Sequence, residues 1–226
     1  MSDDADLAPV VEETAEQIAS MEVRGAATIA AAAADALDAQ ADHLASDVPD
    51  AFTAGMHAAA SRLADTRPTA VSLPNALRYV LQRTEGESVT ERRESVHAAV
   101  RAFHARLDTA RDDLGAVGAN RLQDGDTVMT HCHSTDAVAC VRAAVEDGKD
   151  LSAVVKETRP RNQGHITAER LQELGVSVRL VVDSAARRFL DDTDLVLVGA
   201  DSIAADGSVV NKIGTSGLAV VARERG

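Results

Sequence analysis

Thr127-Val128-Met129-Thr130-His131-Cys132-His133-Ser134 sets the architecture of this chain. Asp124-Gly125-Asp126 makes a turn ahead of it, Thr127 to His131 reads as a short strand, and Ser134 opens a helix that runs to about Glu146 and closes at Gly148. The same rhythm repeats downstream. Leu151 to Val155 is a strand, Thr167 to Leu174 a helix stopped by Gly175, Val176 to Val182 a strand, and Asp194 to Gly199 another. Nearly continuous apolar strands alternating with helices predict a buried parallel sheet with right-handed crossovers, a Rossmann-like α/β unit. In such a sheet ligands bind at the carboxyl ends of the strands. Those ends carry Cys132, Glu157, Asp183 and Asp201.

Upstream the period changes. Leu7, Val11, Ile18 and Met21 recur at helical spacing, as do Val96, Val100, Phe103, Leu107 and Leu114. Arg67-Pro68-Thr69 and Leu73-Pro74-Asn75 punctuate an expected loop between these segments, because proline disfavours helix at the residue before it. The expected organisation is a helical N-terminal domain over 1–120 and a Rossmann-like α/β domain over 121–226, the latter incomplete at its C-terminus.

Composition narrows the function. With 36 acidic against 23 basic residues the formal charge is −13, which argues against non-specific binding to a nucleic-acid backbone. Only Lys149, Lys156 and Lys212 are lysines. An acid-rich, lysine-poor, alanine-rich chain fits a soluble protein of a high-salt cytoplasm. No apolar run approaches the ~20 residues that span a bilayer. The acidic start Met1-Ser2-Asp3-Asp4 is unlike a signal peptide. Two cysteines make no disulfide scaffold. The expected location is the cytoplasm. Neither a Gly-x-Gly-x-x-Gly after the first strand nor a Walker loop is present, so a nucleotide cofactor is not indicated.

Several residue groups can carry chemistry. Cys132 stands where a strand feeds a helix, and a helix N-terminus favours thiolate; it reads as a base or nucleophile, or as an inert small apolar residue. Cys140, inside the helix, reads as the latter. His131, Cys132 and His133 lack the spacing of a metal site. Asp201, leaving an apolar strand, is expected to be partly desolvated, which raises a carboxyl pKa and suits a general acid; otherwise it caps a turn. Asn211-Lys212-Ile213-Gly214-Thr215 follows an expected Asp206-Gly207 hairpin turn and can open a helix that receives an anion. Arg24-Gly25-Ala26-Ala27 also precedes a helix, and Arg67 stands in the proline-bounded loop. Three basic anchors near helix starts fit a substrate with two phosphates, although each alone fits a surface charge. Glu157 orients a substrate or forms an ion pair at a turn. Asp183 reads chiefly as a helix N-cap.

Arg24-Gly25-Ala26, Arg67-Pro68-Thr69-Ala70-Val71, Thr130-His131-Cys132, Glu157-Thr158-Arg159-Pro160, Gly199-Ala200-Asp201 and Asn211-Lys212-Ile213-Gly214-Thr215 occur in that order. Together they resemble the superfamily that joins ribose-1,5-bisphosphate isomerase, methylthioribose-1-phosphate isomerase and the regulatory subunits of the initiation-factor-2B exchange factor. The likeness runs from about Ile18 to Gly226. His133-Ser134 after Cys132 is similar to the archaeal ribose-bisphosphate enzymes. The resemblance implies an aldose–ketose isomerase of a small sugar bisphosphate, without metal or organic cofactor. It implies Cys132 and Asp201 as the acid/base pair, and substrate contacts from Arg24, Gly25, Ala26, Ala27, Arg67, Ser134, Thr135, Asp136, Asn211 and Lys212. It also implies a homo-oligomer, a dimer or a hexamer, and a further hundred or so residues beyond Gly226 that would supply strands and a substrate-binding lysine.

Overall fold

The computed structural model describes residues 6–224. Two compact units divide between Asp108 and Thr109, inside one long helix.

The first unit is helical: α1 (Pro9–Ala19), α2 (Ala26–His43), α3 (Pro49–Ala64), α4 (Ser72–Leu81) and the first part of α5 (Val89–Ala119). Pro9 and Pro49 begin their helices, where the missing N–H would have no partner anyway. Helix α2 buries Ala30, Ala33, Ala34 and Ala41 along with Ile29 and Leu37, and packs on α1, α3 and α4. Alanine there lets neighbouring helices approach closely, and Phe52, Met56, Leu63 and Leu73 fill the remaining core. Gln40 is fully buried; its side chain donates to the Asp6 carbonyl and accepts from Ala8 N–H, tying the entry of α1 to α2. One expectation fails here. The loop read through Leu73-Pro74-Asn75 ends at Val71, because Pro74 falls in the first turn of α4, where no intrahelical partner for an N–H exists.

The second unit is the α/β layer: β1 (Thr127–His131), α6 (Thr135–Glu146), β2 (Ser152–Lys156), α7 (Gln163–Glu173), β3 (Ser177–Val181), the single turn α8 (Ala186–Phe189), β4 (Leu195–Val196), the hairpin β5 (Ser202–Ile203) and β6 (Val209–Val210), and α9 (Thr215–Arg223). The main sheet is parallel, in the order β3-β2-β1-β4. One face (Val128, Ala153, Val155) packs with α6 and α7 residues such as Val138, Val141 and Leu171. The other (Met129, Val154, Val181) packs with Ala186, Leu190 and Leu218. The expected strand over 194–199 is shorter: among the described residues β4 pairs only with β1, and the flanking bonds Asp194 N–H to Thr127 O and Leu197 N–H to Met129 O continue its ladder. Helix α7 begins four residues before the expected Thr167. Asn162, in a left-handed conformation, turns the chain into it, and Gly164 presses against the Lys156 carbonyl, where no Cβ fits. The C-terminal end of α5 meets α6 through Gly115 and Gly118; a Cβ on Gly118 would collide with the Cys140 side chain.

Candidate active site

The carboxyl end of β1 is held by its neighbours. Cys132 adopts φ +64°, a conformation uncommon outside glycine. Its N–H donates to Thr158 Oγ1 at 2.7 Å, and its carbonyl accepts from Thr167 Oγ1 at 2.8 Å. Thr158 in turn donates to the Lys156 carbonyl. Such over-determination is what holds a residue in a sparse backbone region. The Cys132 side chain is buried, with 9% of its surface exposed. Its Sγ donates to Gln163 Oε1 at 3.2 Å, at the first residue of α7. Turning the Gln163 amide over would present Nε2–H to a thiolate instead, so one side chain can serve both protonation states. Gln163 was not among the residues singled out from sequence. An uncharged amide seven residues after a strand carries no local signal, and only the fold brings it to the thiol.

On the other side of β1, His131 is 2% exposed. Its Nε2 lies 2.7 Å from Thr215 Oγ1. The Thr215 hydroxyl donates to the Lys212 carbonyl and accepts from Asn211 Nδ2, so His131 donates from Nε2 and keeps Nδ1 as an acceptor. Burial holds the imidazole below its ordinary range; the ammonium of Lys156 adds to this, Asp183 opposes it and Lys212 contributes further. His133, bonded through Nδ1 to Thr167 Oγ1, is lowered mainly by burial and then by Arg170.

Ser134 caps α6 by accepting from Ala137 N–H, and its side chain lies against Gly199, where a Cβ would come within 2.7 Å of Oγ. Asn211 Oδ1 is 3.8 Å from the same position. Ser134, Asn211 and Lys212 therefore gather around the ends of β1 and β4, with Thr135 and Asp136 in the first turn of α6. Asp201 joins through the backbone: its N–H donates to the Val210 carbonyl at 2.8 Å, next to Asn211. The side chain of Asp201 is exposed, contrary to the desolvation expected of it, because the strand ends at Val196, five residues earlier. Asp183 is also corrected. Its carboxylate does not cap its own helical turn but accepts from Thr158 and Arg159 N–H, fastening the loop after β2. Cys140, raised by burial and by Asp136, packs at Gly118 and bonds the Leu114 carbonyl.

In the first unit, Gly25 precedes α2 with φ +90°, and Ala26 and Ala27 begin the helix half-buried. Arg24 is exposed and its Nε donates to the Met21 carbonyl. Arg67 is half-buried in the turn between α3 and α4, its carbonyl accepting from Ala70 N–H.

The model of the Initiation factor 2 subunit family matches residues 22–226. The chain belongs to this family. Within the Initiation factor 2 subunit family it is 65% identical over 221 residues to a ribose 1,5-bisphosphate isomerase of Haloterrigena turkmenica, covering 98% of this chain and 68% of that one. It is 66% identical over 218 residues to the protein of the same name from Haloferax volcanii, covering 96% and 68%. The chain thus spans about two thirds of the length of these relatives. Among solved structures it is similar to the translation initiation factor eIF-2B of Pyrococcus horikoshii, with a TM-score of 0.85 at 27% identity over 96% of this chain and 76% of that one.

Proposed function

We propose that this chain converts ribose 1,5-bisphosphate to ribulose 1,5-bisphosphate, with Cys132 as base and Asp201 as acid. The observation that carries the reaction is identity of 65–66% along nearly the whole chain to proteins named for it. The assignment of residues rests on a thiol held at a strand end beside a polar cluster.

The C1–O4 bond breaks and Asp201 gives O4 its proton. Cys132 takes the proton from C2, and the C–H electron pair forms the C1–C2 double bond of an enol. The Asp201 carboxylate then takes the proton of O2 as C2 becomes a carbonyl. Cys132 returns its proton to C1. The enzyme ends as it began, and no electrons leave the sugar. Gln163 can follow the change at sulfur by presenting either end of its amide. Arg24, Gly25, Ala26, Ala27, Arg67, Ser134, Thr135, Asp136, Asn211 and Lys212 are the proposed substrate contacts. Fixing the sugar between acid and base contributes several kcal/mol, ~7–11 at most. The proposal includes a cytoplasmic homo-oligomer, a dimer or a hexamer, which light scattering on the eluting protein would measure.

The test offers the chain ribose 1,5-bisphosphate and methylthioribose 1-phosphate in parallel. Ketose from the bisphosphate, at least about tenfold faster in kcat/KM, supports the proposal. Preference for the methylthio sugar, or binding of a translation factor without turnover of either sugar, would replace it.

A further inference from the structure

Lys156 ends β2, in register with His131 on one side and Val181 on the other, within the interior of the sheet. It is 6% exposed. Among the described residues its ammonium has no carboxylate within 4.0 Å and donates no hydrogen bond. Those residues contain no wholly buried polar side-chain atom without a partner, so Nζ reaches an open space rather than a sealed one. Gly214 lies beside it. A Cβ placed there would sit 4.0 Å from Lys156 Nζ and 3.9 Å from the His131 ring.

Gly214 is also the residue before α9, a nine-residue helix that no side chain caps. The positive end of its dipole lies beside the same place; Thr215 N–H is taken by the Lys212 carbonyl at 3.2 Å, which leaves Ser216 and Gly217 N–H as the first amides without a helical acceptor. Lys212, two residues earlier, adds a second cation felt by His131. Asp183, the carboxylate that acts on His131 alongside these cations, already accepts from Thr158 N–H at 3.0 Å and Arg159 N–H at 2.8 Å. Burying an unpaired ammonium costs stability, and the surroundings concentrate positive charge instead of relieving it. An arrangement of that kind is suited to an anion.

We infer that Lys156 is the buried cation of a phosphate subsite at the start of α9, and that this subsite takes one of the two phosphates of the sugar bisphosphate. The choice of ligand rests on the isomerase reading; the charge of the pocket does not. Lys156 grips a phosphate from the floor of the sheet, while Lys212 and the helix amides hold it from the rim. Gly214 leaves room for the anion to reach Nζ.

The test compares wild type with Lys156→Met, an apolar side chain of similar length. Melting temperature is followed without ligand and against inorganic phosphate, and isomerase kinetics are measured separately. The subsite predicts that the variant melts at or above the wild-type temperature without phosphate, and loses more than half of the phosphate-induced rise. It predicts a KM for ribose 1,5-bisphosphate raised at least about tenfold, with kcat within about threefold. A variant that melts lower yet keeps the phosphate response overturns the inference, since Lys156 would then be structural. Wild type without any phosphate response overturns it too, as does active wild type whose KM the substitution leaves unchanged. If neither protein turns over the sugar but only wild type responds to phosphate, the isomerase reading fails and the subsite stands.

Discussion

At the scale of single residues, two positions report on the candidate site without touching the proposed acid/base pair. Gly199 has Ser134 Oγ within 2.7 Å of where a Cβ would stand. Gly199→Ala pushes the cap of α6 aside and is expected to cost about 1–3 kcal/mol, as overpacking does, measurable by urea unfolding; wild-type stability would show that the contact yields freely. His131 gives a pH signature. Its folded form is held neutral by burial and by Lys156, so its pKa lies below the ordinary 6.5. Once pH falls below about 6.5 the unfolded chain binds the extra proton. The stability tied to neutral His131 is therefore complete above that pH and lost as pH drops toward the folded value. Melting temperature should fall between pH 7.5 and 5.5 more steeply in wild type than in His131→Gln. Equal slopes would remove His131 from the account. Of these residues, Cys132 and Asn211 were legible as motif members. Gln163 and Lys156 were not, because their roles come from pairings across the sheet and between helix ends, 31 and 25 positions from their partners.

At the scale of elements, strands β1 and β2 and helix α6 fall within a residue or so of where period and turn residues put them. They are bounded by glycine and aspartate turns that leave the chain little choice. Helix α7 starts four residues ahead of the expected Thr167, at Gln163, and Gly164 in its first turn lets it approach the Lys156 carbonyl. The α5–α6 contact offers a cleaner test of glycine as a spacer. Gly118→Ala should destabilise by about 1–3 kcal/mol through its clash with Cys140. Adding Cys140→Ala should recover part of that loss, since the two changes share one contact. Additive losses in a denaturant double-mutant cycle would show that the helices do not meet there.

At the scale of the whole molecule, net charge dominates. Thirty-six acids against 23 bases repel one another at low ionic strength, and salt screens that repulsion over about 10 Å at 0.1 M. The melting temperature is expected to rise as potassium chloride goes from 0.1 M toward molar concentrations. A maximum at low salt would contradict the reading of the composition. The family and the parallel sheet were legible because ordered motifs and apolar alternation survive in one dimension. The exposure of Asp201 was not, since it depends on β4 stopping at Val196, five residues earlier.

The central claim is that the thiol of Cys132 moves a proton of ribose 1,5-bisphosphate. The direct measurement is ketose formation by wild type and Cys132→Ser, each shown by calorimetry to bind the sugar. The account predicts steady appearance of ribulose 1,5-bisphosphate with wild type and a rate at least about a thousandfold lower with the variant, at comparable affinity. A serine variant that forms the ketose at the wild-type rate would contradict it.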